Sequence, residues 1–127
     1  MFNFLGKTLL IVDDDIMVRE VLGDFFEDQN MKIVQAGSGN AAFKILQSQQ
    51  IDLVITDVRM EDGDGITLAK DIRDKLSYKP VLFICSGYHD LEPALADELG
   101  VACVFQKPLR SKQLIAKVAE VIGISPS

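Results

Sequence analysis

The sequence predicts an α/β fold, a doubly wound parallel sheet of five strands with helices on both faces. Short apolar β-type runs alternate with longer amphipathic stretches along the chain, as this class requires. Several of the runs are apolar throughout, which is typical of strands buried on both faces. Polar residues follow the ends of these runs, where sheets of this class bind their ligands.

The first strand and helix are predicted from a change in the spacing of apolar residues. The run from Thr8 to Val12 predicts a strand, which the following aspartates end. A helix is predicted from about Ile16 to Gln29, because apolar residues recur there at helical spacing. Its predicted buried face consists of Val18, Val21, Leu22 and Phe25.

The second and third units repeat this pattern. Strands are predicted at Lys32 to Gln35 and at Leu53 to Thr56. Ser38 is the predicted N-cap of helix two, and helix three is predicted from about Ile66 to Leu76, ending before Pro80. The residues predicted to be buried are Ala42, Phe43 and Leu46 in helix two and Ile66, Ala69 and Ile72 in helix three.

The last two units complete the predicted sheet. Their strands are Val81 to Cys85 and Ala102 to Phe105. Helix four is predicted to begin near Glu92 and Pro93, where proline suits the first helical turn, and to stop at Gly100. Helix five is predicted from Ser111 to Ile122. Its predicted buried face consists of Leu114, Val118 and Val121.

Size and charge narrow the possible functions. A chain of 127 residues, 48% of them hydrophobic, predicts one domain over residues 1–127, with a core over about 8–122 and a tail or linker start at 123–127. The net charge of -6 argues against direct binding to nucleic acid or to an anionic membrane. Because the apolar run Leu9 to Val12 is too short for a signal peptide or a membrane span, we expect a cytoplasmic protein. The two cysteines, Cys85 and Cys103, are predicted to be buried reduced thiols.

The residues with chemical potential follow four predicted strands. Asp13 and Asp14 follow the first strand, Asp57 the third, Ser86 the fourth and Lys107 the fifth, so all should meet at one sheet edge. Clustered carboxylates repel unless a cation lies among them, and oxygen ligands without histidine or thiolate favour Mg²⁺. Asp57 can then attack phosphorus to give an acyl phosphate. The ammonium and hydroxyl groups can contact the phosphoryl oxygens.

Other polar residues have simpler interpretations. Asp15 is expected to cap helix one. His89, the sole histidine, is expected to be a surface loop residue, so the phosphoryl donor must come from another molecule. The basic residues at helix five are expected to form a solvated face; they are Arg110, Lys112 and Lys117.

Four stretches, LLIVDDD, DLVITDVRMEDGDG, VLFICSG and QKP, resemble the receiver domain of two-component response regulators over about Thr8 to Ile122. The resemblance implies a flavodoxin-like (βα)5 fold with strand order 2-1-3-4-5 and a phosphoryl group on Asp57. It implies that the Mg²⁺ ligands are Asp13, Asp14, Asp57 and the backbone carbonyl of Arg59.

The same resemblance implies roles for further residues and for partners. Ser86 corresponds to the switch hydroxyl, Lys107 to the phosphate-binding lysine, and the peptide from Lys107 to Pro108 is expected to be cis. The implied donor is a sensor histidine kinase or a histidine phosphotransfer protein. The face of helix four, strand five and helix five is expected to signal to a downstream effector protein or domain, from a monomer or a weak homodimer.

The sequence also departs from the family pattern. Glu61 stands where the family usually has proline, and Val104 stands where it has the switch aromatic of strand five. Phe105 is adjacent, but strand alternation directs it to the other face of the sheet. The hypothesis is that the signal is read mainly as backbone rearrangement around helix four and strand five. Arg59 and Tyr88 occupy positions expected to modulate the loss of the phosphoryl group.

The acidic turn after strand one leaves alternatives open. The turn also fits the opening of a haloacid-dehalogenase-like phosphohydrolase motif, with Asp13 as nucleophile and Asp15 as general acid, although Met17 stands where threonine or valine is wanted. A flavin or nucleotide carrier is disfavoured, because three aspartates would repel its phosphate. A non-phosphorylated docking module is a further alternative, against which the intact set of acids, hydroxyl and lysine argues.

Overall fold

The structure, a computed structural model, describes residues 2–87 and 91–126. Within these residues five parallel strands form one sheet in the order β2-β1-β3-β4-β5, which confirms the expected flavodoxin-like topology. The strands are β1 Thr8–Val12, β2 Lys32–Ala36, β3 Leu53–Asp57, β4 Val81–Ser86 and β5 Cys103–Gln106. The helices are α1 Ile16–Glu27, α2 Gly39–Ser48, α3 Gly65–Lys75, α4 Pro93–Glu98 and α5 Ser111–Ile122.

Helices cover both faces of the sheet. Alternate side chains of the central strand β1 serve opposite layers: Leu9 and Ile11 pack on the side of α1 and α5, and Leu10 and Val12 on the side of α2 and α3. Both sides of the strand are therefore removed from water. This double burial explains why β1 is apolar from Leu9 to Val12 rather than alternating.

The predicted helix faces are correct in their main contacts and wrong at two residues. Val21 is 50% exposed and Val121 is 37% exposed. In α1 the buried residues are Leu22 and Phe26, four positions apart, and Val21 lies about 100° around the helix from Leu22. In α5 the stripe continues to Ile122, which contacts the core in place of Val121.

The core extends beyond the predicted limits of residues 8–122. Phe4 is fully buried, and its ring lies 6.0 Å from that of Phe26 in an edge-on arrangement. The Phe4 amide donates to the Gln29 carbonyl at 2.8 Å, which fixes the N-terminal segment against α1. After α5, Ile124 also packs on this cluster, and its amide donates to the Ala119 carbonyl at 2.8 Å.

Several element boundaries shift by one or two residues from their predicted positions. α1 ends at Glu27 rather than Gln29, and α4 ends at Glu98 rather than Gly100. β5 begins at Cys103 rather than Ala102. β3 and β4 each continue one residue further than predicted, to Asp57 and Ser86. These two polar residues are therefore held by the sheet itself rather than by flexible loops.

Both cysteines are free thiols, as predicted, although only Cys85 is fully buried. Burial raises the pKa of the Cys85 thiol to about 12, so the thiol stays protonated at neutral pH. Cys103 is partly buried at the start of β5, and burial raises its pKa as well. Across the described residues, every helix is too short or too polar to cross a bilayer.

Candidate functional site

The carboxyl ends of β1, β3, β4 and β5 meet at one edge of the sheet. Asp57, the last residue of β3, pairs with Cys85, and Ser86 at the end of β4 pairs with Gln106. Lys107 follows β5 directly, and its amide donates to the Ser86 carbonyl at 3.0 Å. The predicted convergence of these strand ends at one edge of the sheet is thereby confirmed.

Asp57 is held from two sides. Its Oδ1 accepts a hydrogen bond from the Val58 amide at 2.9 Å, and its Oδ2 lies 3.0 Å from Nζ of Lys107. The Asp57 side chain is only 11% exposed, so one carboxylate is presented in a fixed orientation at a nearly closed position. The peptide between Lys107 and Pro108 is cis, as the resemblance implied.

The charge of Lys107 is maintained by its acidic neighbours. Partial burial opposes the charge, but the hydrogen bond to Asp57 and the negative charges of Asp57 and Asp13 together raise the pKa of Lys107. The side chain therefore carries an ammonium at neutral pH. An ammonium at this distance can neutralise an anionic group attached to Asp57.

Three carboxylates form a compact cluster beside the lysine. One oxygen from each of Asp13, Asp14 and Asp57 lies within 4.8 Å of the others. Asp13 is buried and Asp14 is exposed, so the cluster opens to solvent on one side. The pKa of Asp13 is raised above its ordinary value, mainly by burial and also by the negative charge of Asp57. The hydrogen bond from the Asp15 amide opposes this shift.

The cluster has the chemistry of a divalent cation site. Two neighbouring acids, one of them buried, repel each other when both are ionised, and a cation between them removes this repulsion. All three of these ligand atoms are carboxylate oxygens, which suit Mg²⁺ better than zinc. The residues present therefore fit the expected ion.

Arg19 supports this acidic turn and was not identified from the sequence. Its Nη1 donates to the backbone carbonyl of Asp13 at 2.6 Å, and its Nε donates to Oε1 of Gln35 on β2 at 3.1 Å. Asp15, as predicted, caps α1 by accepting from the Met17 amide at 2.9 Å. The turn is thus tied to α1 and to the neighbouring strand.

The loop between β3 and α3, residues 58–64, borders the site next to Asp14. Together with Asp14 it lines an open cavity of about 420 Å³. The far end of the loop is tightly packed, since the Gly65 amide donates to the Val58 carbonyl at 2.8 Å. A Cβ atom on Gly65 would lie 2.2 Å from the backbone oxygen of Asp57, so only glycine fits here.

Of the two expected modulating residues, Arg59 and Tyr88, only Arg59 lies within the described residues. Arg59 is exposed on the loop at residues 58–64 and lines the same cavity as Asp14. Tyr88, the other proposed modulator, and His89 lie outside the described residues.

Comparison with known proteins decides the family. The model of the family described as "Response regulator receiver domain" matches residues 9–119. The chain belongs to this family. Receiver domains are the signalling domains of two-component response regulators, so this chain is a signalling domain.

Relatives of known sequence are also response regulators. The receiver domain is 34% identical over 119 residues to the transcriptional regulatory protein CpxR homolog of Haemophilus influenzae, covering 94% of this chain and 52% of that protein. It is 30% identical to the response regulator GtcR of Aneurinibacillus migulanus, covering 90% of this chain and 47% of that protein. The chain therefore spans about half the length of these relatives.

Solved structures of the family superpose closely. A response regulator receiver protein from Pseudomonas putida is 30% identical with a TM-score of 0.83, covering 90% of this chain and 96% of that one. A putative response regulator from Chloroflexus aurantiacus is 28% identical with a TM-score of 0.83, covering 92% and 98%. The receiver domain thus shares its topology with these structures.

Proposed function

We propose that this receiver domain accepts a phosphoryl group on Asp57 from a phosphohistidine of a sensor histidine kinase or a histidine phosphotransfer protein. The observation that carries the proposal is the position of the Asp57 carboxylate, which lies between the Lys107 ammonium and the acids of the turn after β1. A carboxylate oxygen bonds to phosphorus, the phosphorus–nitrogen bond breaks, and its electron pair stays on the imidazole. The product is an acyl phosphate.

The surface beside Lys107 supports a protein as the donor. Ile16 and Met17, at the start of α1, are 56% and 70% exposed, and Val21 follows one turn later. An open cavity of about 380 Å³ lies between α1 and residues 107–109. Exposed apolar surface of this kind is typical of protein contact sites, and it includes Lys107, whose ammonium contacts Asp57.

Mg²⁺ is the proposed cofactor. Its proposed ligands are the clustered carboxylates of Asp13, Asp14 and Asp57. The backbone carbonyl of Arg59 is added as a proposed ligand on the basis of the family resemblance. When bound, the ion offsets negative charge on the phosphoryl group. The chain's own groups supply the rest: Asp57 is the nucleophile, and Lys107 transfers its hydrogen bond from the carboxylate to a phosphoryl oxygen. Intrinsic self-phosphorylation and autodephosphorylation are proposed on the same basis.

Metal dependence tests this function. Incubation with acetyl phosphate and Mg²⁺ is expected to add one phosphoryl group per chain, measured by intact mass, because the carboxylates repel the donor until their charge is offset. With excess chelator in place of Mg²⁺, no adduct is expected to form. A chain that gains no phosphoryl group in either condition would favour the non-phosphorylated docking module.

Ser86 is the proposed switch hydroxyl. It is buried at the end of β4, beside the strand that ends in Asp57. The hydroxyl can donate to a phosphoryl oxygen carried by Asp57. Movement of the hydroxyl toward this oxygen would displace the end of β4.

The proposed output face consists of α4, β5 and α5. Val104 lines a cavity of about 530 Å³ with Pro93 and Ala96 of α4. Phe105 packs on the other side of the sheet, 5.8 Å from the ring of Phe83, as predicted. The signal is therefore proposed to pass as a displacement of the α4 and β5 backbone rather than as the swing of an aromatic ring.

A phosphoryl mimic tests this output. Addition of beryllofluoride and Mg²⁺ is expected to shift the backbone amide resonances of α4 and β5, including that of Val104, by more than those of α2. Backbone assignment of the free and bound forms measures the shifts. Equal shifts in α2 and in the α4 and β5 pair would count against the proposed face.

Arg59 is proposed to modulate the lifetime of the phosphoryl group. Its exposed side chain borders the open cavity that the loop at residues 58–64 shares with Asp14. Arg59→Ala is expected to change the rate of acyl phosphate hydrolysis about threefold or more, because one group that orients or hinders water is removed. Loss of the adduct over time measures this rate, and an unchanged half-life would refute the role.

The wider setting is proposed from the same features. We place the domain, residues 1–127, in the cytoplasm as a monomer or weak homodimer that acts on a downstream effector protein or domain. Because its net charge of -6 disfavours direct binding to nucleic acid, any such contact is proposed to be made by that effector.

A further inference from the structure

The loop at residues 58–64 is fastened to the start of α2, a helix that contributes no residue to the acidic cluster. The Gly39 amide donates to the Gly63 carbonyl at 2.8 Å, and the Asn40 amide donates to the Asp62 carbonyl at 3.1 Å. The first amides of a helix have no partner within it, and here the loop supplies the acceptors. A Cβ atom on Gly39 would lie 2.5 Å from the Gly63 oxygen, so the two segments are in close contact.

Side chains reinforce this contact. Nδ2 of Asn40 donates to Oδ1 of Asp62 at 2.8 Å, and the Ser38 hydroxyl donates to Oδ2 of the same carboxylate at 3.3 Å. Asp62 has a φ of 58° and Gly63 a φ of 100°, both in the left-handed region. A non-glycine residue adopts this conformation at an energetic cost, which the hydrogen bonds of Asp62 offset.

The same loop carries a proposed metal ligand. Arg59, whose carbonyl is that ligand, precedes Asp62 by three residues, and the loop shares a cavity with Asp14. Glu61 is exposed and is not a proline, so it does not restrict the backbone by a ring. The hydrogen bonds of Asp62 therefore supply a restraint on the middle of the loop.

We propose that Asn40 and Asp62 are positioning residues whose hydrogen bond sets the place of the Arg59 carbonyl relative to the acidic cluster. Mg²⁺ demands near-ideal octahedral geometry, so a displaced carbonyl weakens its binding. The inference rests on the proposed function of the site. Neither side chain touches the reacting atoms.

The first test is Asn40→Ala, which removes the side-chain donor and leaves the left-handed residues unchanged. The dissociation constant for Mg²⁺, measured by titration calorimetry on the full chain, is expected to rise about tenfold. Gln47→Ala, on the exposed side of α2, is the matched control and is expected to leave the constant unchanged. Urea unfolding of each variant separates a loss of stability from a loss of metal affinity.

A double variant that exchanges the amide and the carboxylate tests whether this hydrogen bond, rather than either side chain alone, sets the Mg²⁺ affinity. Asn40→Asp alone places two carboxylates together and is expected to weaken Mg²⁺ binding further than Asn40→Ala. Adding Asp62→Asn is expected to return the constant to within about twofold of wild type. In that double variant the new amide nitrogen donates to the new carboxylate, and its oxygen still accepts from Ser38.

The outcomes separate this inference from the proposed function. A tenfold loss that the double variant restores supports the positioning role. An unchanged constant in Asn40→Ala, or a double variant no better than Asn40→Asp, overturns the inference and leaves the proposed function standing. A wild-type chain that binds no Mg²⁺ overturns both.

Discussion

Asp57→Asn is expected to abolish the phosphoryl adduct that forms with acetyl phosphate and Mg²⁺. The substitution keeps the size and shape of the side chain, but a neutral amide lacks the nucleophilic carboxylate oxygen. It also leaves Lys107 without its charged partner at 3.0 Å, so the phosphate-binding group loses its position. Intact mass spectrometry measures the result as the fraction of chains that carry a phosphoryl group.

Asp24→Asn is the matched control for this change. Asp24 is an exposed aspartate on α1, and its substitution makes the same change in charge away from the strand ends. This control is expected to gain the phosphoryl group as the wild type does. An adduct of equal yield in Asp57→Asn would show that another residue is the acceptor.

Gly65→Ala is expected to lower the free energy of unfolding by about 3 kcal/mol and to reduce phosphorylation with it. The added Cβ atom would lie 2.2 Å from the Asp57 oxygen and 3.1 Å from Cα of Val58, both backbone atoms that cannot rotate away. α3 must therefore move off the strand end, and the carboxylate of Asp57 moves with it. Urea unfolding and the phosphoryl yield measure the two effects.

Gly37→Ala provides the comparison. A Cβ atom there would lie 3.5 Å from Nη1 of Arg19, an ordinary contact with the end of a flexible side chain. The free energy of unfolding of Gly37→Ala is expected to stay close to that of the wild type. This variant therefore controls for the change in backbone freedom that any glycine-to-alanine substitution causes. Equal stability of Gly65→Ala and Gly37→Ala would contradict the close approach of α3 to the Asp57 backbone.

The topology could be predicted because its cause is visible in the residue pattern. Strands buried on both faces must be apolar throughout, and helices between them must be amphipathic, so the elements are distinct in the sequence. The convergence of Asp13, Asp57, Ser86 and Lys107 followed from one rule, that the carboxyl ends of parallel strands meet. The rule requires no knowledge of side-chain contacts.

The residues that support the site could not be predicted in this way. Arg19 and Asp62 act through contacts with Asp13 and Asn40, and those contacts exist only once separate elements are packed together. Helical spacing likewise placed Val21 among the buried residues, because the width of the buried stripe depends on the neighbours of α1. In each case the deciding information lies in the tertiary structure.

The most direct test of the account is to locate the phosphoryl group on the unaltered chain. Borohydride reduces an acyl phosphate and leaves homoserine in place of the phosphorylated aspartate, which peptide mass spectrometry then identifies. After treatment with acetyl phosphate and Mg²⁺, reduction is expected at position 57 alone. Reduction at Asp13 or Asp14 instead would contradict the assignment of Asp57 as the phosphoacceptor.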